Sequence, residues 1–148
     1  MKITQSTVTK LLLSDLNSLD PVTVIMEDFA TGQGKLTVDC YGKAWTAYWG
    51  AMGDHKIAEF INTAEIDYLA NKLTTVPCRI TDYDAISKKI GVDVDRDSLA
   101  FYVDALVSAY GPEWYMDLPA TTNPEYSYLC RIVSAVKDAV KLSSAKAA

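Results

Sequence analysis

The chain has 148 residues, 49% of them hydrophobic and 22% charged, with three Cys, one His and a formal net charge of −5. That balance excludes a disordered chain, because low hydrophobicity coupled to high net charge is what leaves too little apolar surface to bury. It also argues against simple DNA binding, which asks for a basic face, and against DNA mimicry, since duplex DNA carries one charge per ~1.7 Å of axis.

At this length a single compact domain over residues 1–148 buries roughly 68–70% of the surface its unfolded chain exposes, so a core forms without disulfides or metal. The longest stretch without a charged residue, Ala44 to Gly53, is half of the ~20 apolar residues a spanning helix needs. No membrane role is expected. Polar Thr4, Gln5, Ser6, Thr7 and Thr9 stand where a signal peptide places its apolar stretch. Cys40, Cys78 and Cys130 are odd in number and far apart, which fits a reducing compartment. The expected location is the cytosol.

Residues 1–53 are expected to be mainly strand. Thr7 to Leu13 is β-branched and apolar, Ser14 to Pro21 is rich in turn formers, and Val22 to Phe29 is a near-continuous β-prone run. Ala30-Thr31-Gly32-Gln33-Gly34 closes that strand onto Lys35 to Tyr41, where Leu36, Val38 and Cys40 alternate with polar neighbours. Ala44 to Trp49 reads as a further hairpin strand or as a helical turn, because Trp45 and Trp49 share a face at spacing four in either period.

Residues 54–142 carry a helical period. Asp54 is the expected N-cap of a helix with Ile57, Phe60, Ile61 and Ala64 on one side. Asn62 with Glu65 restarts the chain as a second helix carrying Ile66, Leu69 and Leu73, which Val76 and Pro77 stop. Thr81 or Asp82 opens a third, closed by Gly91. Asp95 or Asp97 caps a fourth, with Leu99, Tyr102, Val103, Leu106 and Tyr110 as one apolar stripe and Phe101, Ala105 and Ala109 as a second. Asn123-Pro124-Glu125 starts a fifth, with Leu129, Ile132, Val133, Val136 and Val140 inward. Residues 143–148 form a tail expected to fray. Strands followed by helices indicate an α+β domain: an N-terminal antiparallel sheet of three to four strands with about five helices packed on it.

Chemical motifs are sparse. Asp93, Asp95, Asp97 and Asp104 imitate a calcium loop, but Ser98 stands where the sharp turn needs Gly, so capping carboxylates are the better reading. His55 has no Cys nearer in sequence than Cys40, which leaves no zinc set. Gly32-Gln33-Gly34 lacks the third glycine and the helix of a dinucleotide loop, and no Walker Lys follows. Glu27 and Asp28 point to opposite faces of a strand, so they do not converge as an acid–base pair. With no nucleophile, base and orienter together, neither catalysis nor a cofactor or metal is expected.

Aromatic residues are the remaining signal. Trp45, Tyr48 and Trp49 lie beside Lys43, and Trp114-Tyr115-Met116 occupies the loop between the last two helices. Most of these rings are expected in the core, with one from each cluster exposed as an interface anchor, since Trp, Tyr and Met are enriched at binding hot spots. Stacking on single-stranded nucleic acid is the competing use, for which Lys35, Lys43 and Lys56 make a thin electrostatic funnel.

The segments CYGKAWTAYWGAMGD at Cys40 to Asp54, DYLANKL at Asp67 to Leu73, DRDSL at Asp95 to Leu99, and MDLP before NPEYSYLCRI resemble those of small accessory proteins of enterobacterial phages and prophages. The resemblance covers most of the chain and transfers no catalytic motif. It implies an accessory protein made in the bacterial host cytosol that binds a host protein, such as a defence or nucleic-acid-processing complex, and modulates it. A nucleic-acid accessory protein and a small enzyme are the alternatives, and pairing of the sheet edge with a second copy stays open.

Overall fold

A computed structural model describes residues 1–147. The fold is α+β: a four-stranded antiparallel sheet comes first, and five helices follow. The described chain divides into two compact units, one made of Met1–Val76 with the helix segment from Ser127 onward, the other of Pro77–Tyr126.

In the first unit the strands β1 (Thr9–Leu13), β2 (Val22–Ala30), β3 (Gln33–Cys40) and β4 (Lys43–Trp49) pair in chain order, each antiparallel to the next. Register follows from the alternation of side chains. Val24 lies opposite Leu11 and Val38, and Val38 lies opposite Trp45. One face therefore collects Leu13, Val22, Val24, Met26, Leu36, Val38, Cys40, Trp45, Ala47 and Trp49, all buried. The segment Lys43–Trp49 is a strand; from Ala44 to Trp49 its residues alternate exposed with buried, which a helical turn would not allow.

Three helices cover that inner face: α1 (Ile57–Thr63), α2 (Ile66–Leu73) and the first-unit part of α5 (Pro124–Ala147). They bury Ile57, Ile61, Leu69, Leu129, Ile132, Val133, Val136 and Val140. Deep burial of branched aliphatic side chains contributes roughly 1.5–3 kcal/mol each, so this layer dominates the unit's stability. Asp54 does not cap α1. The helix starts three residues later, where Glu59 Oε2 accepts the Lys56 N–H at 3.0 Å and Asp28 Oδ1 accepts the Ile57 N–H at 2.8 Å. Of the tail expected to fray, Ser143 to Ala147 are helical, with both serine hydroxyls donating back to the Val140 carbonyl, and residue 148 lies outside the described residues.

The second unit holds α3 (Tyr83–Ile90), a 3-10 turn at Leu99–Tyr102, α4 (Val103–Tyr110) and a two-stranded ribbon of β5 (Arg79–Thr81) and β6 (Ala120–Thr122). Asp82 caps α3 by accepting the Ala85 N–H, and Gly91 ends it in the left-handed conformation, as its missing Cβ permits. Ile86, Val94 and Leu106 form the buried centre. The expected second apolar flank of α4 is absent from the core: Phe101 belongs to the tighter 3-10 turn, which rotates its ring out to solvent. Asn123 Oδ1 accepts the Glu125 N–H and its Nδ2 donates to the Pro77 carbonyl, so one side chain caps α5 and ties the ribbon's ends.

Candidate interaction surface

Within the first unit the buried side chains lie on one face of the four-stranded sheet, and no helix of that unit packs on the outer face. Its side chains are the alternate members that face away from the core, including Ile25, Glu27, Lys35 and Thr37 and, across from them on β4, Thr46 and Tyr48. Thr37 and Thr46 hydroxyls share a hydrogen bond at 3.1 Å across β3 and β4, and Lys35 Nζ lies 3.9 Å from Glu27 Oε2. A β-bulge between Asp28 and Ala30 adds a residue to β2 and turns Phe29 outward. Its ring packs against Tyr48 with centroids 5.9 Å apart at 54°. Phe29 is 57% exposed and Tyr48 55% exposed, so the pair is a rigid aromatic surface presented to solvent.

The other sequence-expected rings divide by the same alternation. Trp45 and Trp49 are buried on the inner face; Trp49 packs against Phe60 with centroids 5.6 Å apart and the rings tilted at 55°, and its Nε1–H donates to the Tyr68 hydroxyl at 3.1 Å. Lys43 extends its ammonium over the Trp45 ring, 5.4 Å from the centroid. In the second unit Trp114 is half-buried against the Leu106 cluster, and it holds Tyr115 edge-on at 6.0 Å. Tyr115 and Met116 are exposed. Phe29 was not singled out from sequence, although it follows Thr23, Ile25 and Glu27 at spacing two; that parity, opposite to the buried Val22, Val24 and Met26, was the available signal.

The titratable groups have local structural roles. His55 is exposed, with Nδ1 3.7 Å from Glu59 Oε2. Cys40 is buried with Sγ 3.3 Å from the Tyr128 hydroxyl, and that hydrogen bond, with burial and the Cys40 and Asp20 charges, raises the Tyr128 pKa above its ordinary value. Asp95 Oδ1 accepts from the Ser98 hydroxyl and from the Ser98 and Asp97 amides, which holds its carboxyl below its ordinary value. This carboxylate is a turn cap.

A family model described as a phage family matches residues 1–142. The chain belongs to this phage family. The match spans the sheet with its Phe29–Tyr48 pair as well as the Trp114 to Met116 loop. No curated protein and no solved structure matches the chain. No helix of the described residues is long and apolar enough to cross a membrane.

Proposed function

We propose that this phage protein is an accessory factor of the bacterial host cytosol, without catalysis of its own, that binds a host protein and modulates it. Phage membership and the resemblance to enterobacterial accessory proteins support that setting. The observation that carries the reading is the Phe29–Tyr48 pair, two rings more than half exposed and held on the sheet face opposite the first unit's core. Exposed aromatics on a rigid element lose little conformational entropy on binding, which is why such rings serve as anchors. A defence or nucleic-acid-processing complex is the partner class.

Nucleic acid is the weaker occupant of the same face. Lys10 and Lys35 are matched there by Glu27 and Asp39, so the face has no net positive field to gather phosphates. The test is affinity purification from host lysate with the native chain and with the Phe29→Ala/Tyr48→Ala variant. A host protein recovered by the native chain and lost with the variant is expected. Equal recovery by both, or binding only of labelled single strands in a low-salt titration, overturns the reading.

A further inference from the structure

A groove of about 920 Å³ runs along the other side of the same unit, between β1 with its following loop and the flank of α5. Sheet order makes β1 an edge strand: it pairs with β2 alone, and no hydrogen bond reaches its far edge among the described residues. Such an edge presents unpaired backbone donors and acceptors, a template for one more strand. The groove lies against that edge. Its α5 wall carries the small Ala135 and Ala139 beside Leu142, whose side chain is 64% exposed although it belongs to a helix packed on the sheet.

Charge selects the occupant. The chain as a whole is acidic at −5, yet the groove is lined by Lys10, Arg131 and Lys146 against Asp138 alone. Lys10 and Lys146 make no ion pair among the described residues. One guanidinium nitrogen of Arg131 donates to the Ser18 carbonyl at 2.6 Å, which fixes the head group at the groove's end with further donors to spare.

The geometry points to a binding site for an extended, acidic peptide segment of a partner protein, added to the sheet as a fifth strand beside β1. Five residues of β1 span about 17 Å, so a segment of five or six residues fills the edge. Side chains of an added strand alternate. One set meets Ala135, Ala139 and Leu142 and should be apolar; the other lies on the face of Lys10 and should be acidic. Main-chain bonds supply affinity and the alternate pockets supply selectivity. This site goes beyond the outer-face reading and does not use Phe29 or Tyr48, so either stands if the other fails.

The test is selection of a displayed random dodecapeptide library on the purified full chain. Enrichment of peptides alternating apolar residues with Asp or Glu is expected. In the best of them, backbone N-methylation at every second position should abolish binding while the intervening positions tolerate it. Ala139→Trp, which fills the groove, should weaken binding at least tenfold. Lys10→Glu/Lys146→Glu, at two exposed positions, should turn the selection toward basic peptides, and Phe29→Ala/Tyr48→Ala should leave it unchanged. Peptides without acidic alternation, or indifferent to both groove variants, overturn the proposal. So does a dimer in sedimentation that Ala139→Trp dissociates, because the groove would then be filled by a second copy.

Discussion

Asp28 on β2 and Ile57 at the start of α1 are joined by a 2.8 Å hydrogen bond from the Ile57 N–H to the Asp28 carboxylate. The helix thus takes its cap from a strand 29 positions earlier, and the negative charge sits at the positive end of the helix. Asp28→Ala should destabilise the chain by about 1 kcal/mol, a typical cap value, while Asp28→Asn should recover most of it. Asp54→Ala, at the residue that sequence alone nominates, should change stability by less than about 0.5 kcal/mol. Urea unfolding midpoints of the three variants measure this, and a larger loss at Asp54 than at Asp28 would sink it.

Two glycines separate backbone strain from steric contact. Gly32 and Gly42 both adopt positive φ, 71° and 76°. A Cβ on Gly32 would stand 2.2 Å from the Gly53 carbonyl oxygen, where the Met52 N–H also donates to the Gly32 carbonyl at 2.8 Å; a Cβ on Gly42 would meet nothing within 4 Å. Gly42→Ala should therefore cost only the left-handed conformation, about 1–2 kcal/mol. Gly32→Ala adds displacement of the Gly53 loop and should cost clearly more. Similar unfolding midpoints for the two would show that the loop yields freely.

The Trp49 indole is buried and has the Tyr68 hydroxyl as its hydrogen-bond acceptor. Tyr68→Phe removes the acceptor, keeps the ring against Phe60, and should destabilise by about 1 kcal/mol. Fluorescence of Trp49 should shift as its N–H loses a partner. Unchanged stability with an unchanged spectrum would mean that solvent replaces the hydroxyl.

The strand alternation was readable because period-two burial leaves a direct mark: Val22, Val24 and Met26 against Leu36, Val38 and Cys40. Asp82, Gly91 and Asn123 were readable for a similar reason, since caps bond within three residues and the chemistry stays local. The Asp28 cap was not, because its acceptor and donor meet only after the sheet has formed. The ribbon of Arg79–Thr81 and Ala120–Thr122 has three residues per strand, too few for any period to emerge. Phe29 follows the outward parity of Thr23, Ile25 and Glu27, but its pairing with Tyr48 joins two strands, and the β1 groove arises from two surfaces distant in sequence, so neither the pair nor the groove has a linear signature.

Phe29 and Tyr48 contribute little to the core because each leaves more than half its surface in water. Their joint replacement by Ala should lower stability by about 1 kcal/mol, the scale of a lost aromatic pair. Partner binding should fall by far more. A variant that unfolds at much lower urea than the native chain would show that the pair is structural.

The Asp95 carboxylate offers a pH test whose sign is determined by its donors. Ser98 supplies a hydroxyl and an amide, each at 2.8 Å, and Asp97 an amide at 3.0 Å. All three bond the ionised form, and the Ser98 hydroxyl has the largest effect, so the folded carboxyl titrates below its ordinary value of 3.8. The unfolded chain then binds the proton more readily. The turn's stabilisation is complete above the ordinary value and is lost as pH falls through the depressed one. Carboxyl-carbon NMR should find Asp95 titrating below the other exposed Asp residues, and Ser98→Ala should move it back up. Protonation should also release the Asp97 and Ser98 amides, seen as faster hydrogen exchange at those two positions at low pH. An Asp95 that titrates with its neighbours, or one that Ser98→Ala leaves unmoved, would assign the turn to backbone packing instead.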